Sequence, residues 1–274
     1  MNGNRPKQSK YSWLVIATTI AVVIILGIII ILSIRSHRSP GKMTGPGKGS
    51  TAYTEPQKTF PDIKDKPEPR FAGFRDCPPE GDGGDPQLNR LKNRVDDGNY
   101  IPVEFDAIVG LPWPRAIERR HRDRWSEGDK KDVARYEGVP VSVVGYLAGA
   151  KQEGPESCNC HGADKEYRDY HVWLTKSAGE DRIRSIVVEV TPPIHQKHPG
   201  WDIKVLKKIV RNKQKVRISG WIMLDPEHPD QVGKTRGTIW EIHPIMQIEV
   251  ESDGRWMPLD NIASGDTLKG GENA

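Results

Sequence analysis

The chain has 274 residues, a formal net charge of +4, and 35% apolar against 28% charged residues. That charge is too small to argue for a nucleic-acid partner by itself, and three cysteines exclude a disulfide-stapled scaffold. With 27 glycines and 22 prolines, much of the chain is committed to loops and linkers.

Residues 1–12 form a short tail carrying Arg5, Lys7 and Lys10. Residues 13–34, WLVIATTIAVVIILGIIIILSI, hold no charge. As a helix this run reaches about 33 Å, enough to cross the hydrocarbon core of a bilayer, and a helix satisfies its own backbone in lipid. The run exceeds a signal-peptide core, and neither an Ala-x-Ala-like site nor a Cys follows it. The reading is a single-pass signal anchor in the cell membrane. Basic residues on the two sides nearly balance; the shortness of the tail assigns the N-terminus to the cytoplasm and the rest to the extracytoplasmic side. Residues 35–70 are rich in Gly, Pro, Lys and Thr without apolar periodicity, which predicts a flexible stalk.

Residues 71–137 mix helical and loop signals. Leu88, Leu91 and Val95 have helical spacing, with Asp85 as N-cap and Pro86 at the first position. The segment LPWPRAIERRHRDRW predicts a short basic helix from about Arg115. The whole stretch is expected to pack on the region that begins at Gly138.

From Gly138 the pattern becomes regular. Val139, Val141, Val143, Gly145 and Leu147 alternate, then Tyr170, Val172 and Leu174, then Ile186, Val188 and Val190. The period changes at Ile203, Leu206, Ile209 and Val210, which form a helical stripe. It returns to two at Val216, Ile218, Ile222 and Leu224, and at Trp240, Ile242, Met246, Ile248 and Val250. Pro244 cannot donate to a sheet ladder, so a bulge or edge is expected there. Strand, strand, strand, helix, strand, strand over residues 138–252 is a mainly β pattern that resembles the OB-fold, a partly open five-stranded barrel. Another small barrel or an α+β sheet shares this element order. Residues 253–274 read as a tail. The segments YLAGAKQEGPESCNCHG, VRISGWIMLDPEHP and RGTIWEIHPI are similar to a group of uncharacterised, membrane-anchored bacterial envelope proteins, and the resemblance implies no activity.

Two constellations carry chemistry. The first is Cys158, Cys160 and His161 in the loop after the first strand, with His171 and Asp169 about ten residues on. Thiolate and imidazole are preferred zinc ligands, although a one-residue gap between Cys158 and Cys160 is shorter than structural zinc sites use. The alternatives are a bridge from Cys77 to Cys158 or Cys160, free thiols in a polar loop, and thiol redox chemistry. Glu241 and His243 on the last strand join this set if that strand neighbours the first in a closed barrel; strand alternation by itself leaves them facing solvent. The metal set is thus Cys158, Cys160, His161, His171, Glu241 and His243, with zinc as the cofactor it implies.

The second constellation is an outward face of Tyr146, His171, Trp173, Arg217 and Trp221. From Arg182 to Arg236 there are twelve Lys/Arg against five Asp/Glu. Cationic grooves with stacking aromatics hold polyanions, while the outer side of the Ile203–Val210 helix accounts for much of the excess. Asp225, Glu227, His228 and Asp230 form either a hard-cation site or a proline-punctuated polar turn. His195 and His198 lie in a Pro-bounded loop. No nucleophile elbow, phosphate loop, dinucleotide fingerprint or HExxH helix is present, which weakens an enzyme assignment. The sequence therefore points to an extracytoplasmic binding or scaffolding module of the bacterial envelope, for an envelope polyanion or a protein partner, with nucleic acid disfavoured. The rival reading is a metal-binding protein or metal-dependent hydrolase built on the Cys/His set.

Overall fold

Period-two alternation from Gly138 onward closes into a barrel. The computed structural model describes residues 54–263. The strands are β1 (Ile101–Pro102), β2 (Pro140–Gln152), β3 (Tyr170–Thr175), β4 (Ile186–Val190), β5 (Lys215–Leu224), β6 (Trp240–Ser252) and β7 (Arg255–Pro258). Around the barrel the order is β2-β3-β4-β6-β5, and β5 pairs back onto β2 to close it. The β4–β6 pair is parallel and the other barrel pairs are antiparallel. The fold is mainly β with a closed five-stranded barrel and few helices. The condition set for Glu241 and His243, that the last strand neighbours the first, is not met: β6 lies between β4 and β5.

Each inward set read from the alternation is buried, including Val139, Val141, Val143, Ile186, Val188, Val190, Ile242 and Val250. The irregularity expected at Pro244 is present. The β5–β6 register shifts on either side of Gly220: Gly220 opposes Ile245 and Ile222 opposes Ile242. His243 and Pro244 therefore share one position opposite Trp221, a two-against-one bulge. The His243–Pro244 peptide is cis.

The helices are α1 (Pro86–Lys92), α2 (Phe105–Val109), α3 (Glu127–Ala134), α4 (Pro192–Lys197), α5 (Ile203–Arg211) and α6 (Leu259–Ala263). α1 begins as the sequence predicts, with the Asp85 carboxylate accepting from the Gln87 and Leu88 amides. α5 is the predicted helical stripe. Asp202 caps it through the Lys204 amide, and Leu206 and Ile209 are buried in the barrel core. The basic helix expected from Arg115 is instead two 3-10 turns, Arg115–Ile117 and Arg122–Arg124. Arg119 has φ 55°, a left-handed conformation that a continuous helix does not contain. His195 lies within α4 and His198 at its C-cap, where the sequence predicts a loop.

Residues 54–138 wrap the barrel. Within the span read as stalk, Gln57 bridges Val103, the Lys66 ammonium donates to the Glu137 carbonyl at 2.7 Å, and the Arg70 amide donates to Asp96 Oδ1. Trp221, expected on an open face, is 1% exposed. Its Nε1 donates to the Asp96 carbonyl at 3.0 Å, and the Arg94 guanidinium lies 3.2 Å from its ring centroid. Gly98 passes so close that a Cβ there would meet Trp221 Cη2 at 2.8 Å. The predicted membrane span and cytoplasmic tail lie outside the described residues. No helix among the described residues is long and apolar enough to cross a membrane.

Candidate functional site: a charged cavity on the outer barrel face

Strand register builds the floor of the site. Side chains alternate across a sheet, so the residues between the inward ones face outward. His171 on β3 sits opposite Lys151 on β2 and Glu189 on β4. One row along, Trp173 sits opposite Gly149 and Val187, and Val187 is in register with Glu241 on β6. His243 follows two residues later on the same face as Glu241. Adjacent strands thereby bring His171, Glu189, Glu241 and His243 together, although they are far apart in sequence.

Two long connections wall this floor. The first, residues 153–169, joins β2 to β3. A Cys77–Cys160 disulfide fastens it to the N-terminal segment, with Cα atoms 5.7 Å apart. The Asp82 amide donates to the Ser157 carbonyl and the Asn93 side-chain amide to the Cys158 carbonyl, each at 2.8 Å. Gly81, at φ +69°, lies so near that a Cβ would clash with the Ser157 carbonyl oxygen. The second wall, residues 225–239, joins β5 to β6. Asp225 Oδ1 accepts from the Glu227 amide, and Asp225 Oδ2 meets His228 Nδ1 at 2.8 Å and Arg236 Nη1 at 2.9 Å. Arg236 Nη1 also donates to Glu241 Oε1 at 2.6 Å. Asp230 instead pairs with Arg119. Asp225, Glu227, His228 and Asp230 are therefore a polar turn, not a shared cation cage.

Between the walls lies a cavity of about 540 Å³. Glu153, Glu156, Glu189, Asp225, Glu227 and Glu241 line it, against Lys92, Lys151 and Arg236. Carboxylates outnumber permanent cations, and several are deeply buried, an arrangement that costs stability unless each charge is paired. His171 Nδ1 lies 2.7 Å from Glu189 Oε1 and 3.1 Å from Glu153 Oε1. Burial pushes the imidazole down, but Glu189 and Glu153 prevail and hold its pKa at about 9. His243 Nδ1 lies 3.3 Å from Glu241 Oε2 and 3.7 Å from Glu189 Oε2; burial opposes its protonation, and the two carboxylates raise its pKa. Burial also acts to raise Glu189, but His243 and His171 outweigh it and hold the carboxyl well below the usual range. Asp169 behaves oppositely. Burial first, then Glu156 and Glu189, push its carboxyl well above that range.

The metal set expected from sequence does not converge as a whole. Cys160 is bonded to Cys77 and so offers no thiolate. His161 is exposed, with Nε2 against the Asp82 carbonyl. Cys158 remains a thiol, buried, with its pKa raised by burial and by Asp169; a reactive thiolate needs the reverse. His171, Glu241 and His243 do meet on the floor. The Glu241–His243 pair is buried beneath the walls, where strand alternation alone suggests solvent.

The expected aromatic face divides in the same way. His171 packs on Trp173 with ring centroids 4.5 Å apart, and the Arg182 guanidinium covers Trp173 at 4.6 Å. Trp221 is sealed elsewhere under the N-terminal segment. Arg217 forms a two-pronged pair with Glu249 at 2.5 Å beside Trp256, and Tyr146 is half-buried. Sequence reasoning misses Glu153, Glu189 and Arg236. One signal is present: Glu189 interrupts an apolar strand at an outward position, as His171 does in the strand before it.

No family model, curated protein or solved structure matches this chain.

Proposed function

We propose that this chain is a membrane-anchored, extracytoplasmic binding module of the bacterial envelope, built on an OB-like barrel, that recognises an envelope polyanion at the basic pocket bordering the loop-walled cavity. The observation that carries this reading is the cavity itself, with ionisable groups buried on an outer barrel face at a cost to stability. Such groups concentrate at functional sites. In OB-folds the corresponding face and the two flanking loops hold ligands. The pocket that adjoins the cavity through Lys151, Trp173 and Gln231 supplies the complementary charge: Lys151, Arg182 and Lys234 surround Trp173, against the single carboxylate of Asp230 in that lining. The anchor reading rests on residues 13–34. A metal-dependent hydrolase is the second reading, favoured by the gathering of His171, Glu241 and His243.

Hydrogen exchange on the full chain in detergent, with and without a glycerol-phosphate oligomer, tests recognition. Peptides covering 149–153, 171–184 and 230–236 are expected to gain protection that 0.5 M salt removes, because screening weakens exposed charge contacts (Debye length about 4 Å at that strength). Protection elsewhere, or none at low salt, overturns the reading. Recovery of the chain in the soluble fraction overturns the anchor.

A further inference from the structure

We infer that Asp169, Glu189 and His243 form a binding site for one divalent transition-metal ion beneath the cavity floor. One ring nitrogen of His243 and one carboxylate oxygen each from Asp169 and Glu189 lie within 4.8 Å of one another. All three residues are buried, and Asp169 and His243 are each 1% exposed. Two carboxylates and an imidazole suit Zn²⁺ or Mn²⁺. This inference rests on reading the cavity and the pocket bordering it as the site of recognition, since Glu189 lines that cavity and connects it to the triad.

The protein atoms around the triad satisfy it only in part. Asp169 Oδ1 accepts from the Asn159 side-chain amide at 2.9 Å, whereas Oδ2 faces the Cys158 thiol at 4.0 Å, beyond a strong hydrogen bond. Nε2 of His243 is buried and has no hydrogen-bond partner among the described residues. Buried polar atoms are nearly always paired, so an unpartnered nitrogen on His243, in a triad whose ligand atoms lie within 4.8 Å of one another, leaves donor capacity suited to a cation. Outer contacts that orient metal ligands are also in place. Glu241 holds His243 through Nδ1, and His171 holds Glu189 through Oε1. A cation here balances the acidic floor and leaves the basic pocket free for an anion.

The test is calorimetric titration of the chelator-stripped full chain with ZnCl₂ and, separately, MnCl₂. About one equivalent of at least one ion is expected. Asp169→Asn should weaken binding about 100-fold, and Glu241→Gln, which acts by positioning His243, about 10- to 100-fold. Asp169→Asn keeps the Asn159 contact and removes a buried charge, so it should remain folded; its urea midpoint is measured in parallel. No binding of either ion at millimolar concentration overturns the metal site, as does wild-type affinity in Asp169→Asn. Absence of metal binding with intact glycerol-phosphate protection removes the metal site and leaves the binding module. Metal binding without such protection does the reverse.

Discussion

Two outer faces of one barrel are buried in different ways. The β2–β5 face lies under the N-terminal segment. There Trp221, Arg94 and Asp96 satisfy one another: the guanidinium lies on the ring and bonds the carboxylate at 2.8 and 2.9 Å. The β3–β4–β6 face lies under two loops and gathers carboxylates in excess of cations. The first face is covered for stability. The second is covered around a space, and its charges are mismatched. The difference teaches that burial alone does not identify a structural face; the balance of the buried charges does.

The largest expected loss comes from Arg236, the buried cation between Asp225 and Glu241. Arg236→Met strands both carboxylates and should cost about 3–5 kcal/mol in urea unfolding. A loss below about 1 kcal/mol would mean that water already screens them. Next is the disulfide. Replacing Cys77 and Cys160 together by Ser frees a link spanning 83 residues of sequence and should cost about 2–4 kcal/mol. Hydrogen exchange should quicken at residues 153–162 while β2 and β5 stay protected; uniform loss would show that the wall and barrel unfold as one.

The pH dependence of the metal-free chain comes third. His171 is raised from 6.5 to about 9 in the fold. Its stabilisation is complete below pH 6.5 and disappears as pH rises through about 9. His243 shifts in the same direction. Urea midpoints should fall across this window by the equivalent of about 2–3 kcal/mol; a flat or rising profile contradicts the pairing of His171 with Glu189 and Glu153.

The smallest effect is the sharpest comparison, because one substitution should change sign between faces. Burial acts to raise Asp96, but Arg94 and the Arg70 amide outweigh it and hold the carboxyl below its ordinary pKa. Asp169 is pushed above it. At pH 7.5 and without metal, Asp96→Asn should cost about 1 kcal/mol and Asp169→Asn should gain about 1 kcal/mol. Equal signs would erase the distinction between the faces.

Much of the barrel is legible in the sequence. Alternation picks out the inward residues of all five strands, and the change of period marks α5. The site is legible only in pieces. His171, Trp173, Glu241 and His243 stand out as outward residues, but strand register, a long-range property, is what puts Glu189 between the two histidines. Burial of Glu241 and His243 depends on loops that local periodicity does not describe. The Cys-rich loop draws attention to thiolate chemistry, whereas its Cys160 serves to fasten the wall. The basic helix after Arg115 does not form because Arg119 adopts a backbone conformation that composition does not reveal.

The Cys77–Cys160 link also has a practical consequence. Reducing cytosol does not sustain such a bond. Material produced there would keep the barrel, whose core does not include the link, yet lose the fixed wall of its cavity. A recombinant preparation would then show a folded β-barrel and still be silent in a binding assay, so the oxidation state of these two sulfurs should be established before any negative result is interpreted.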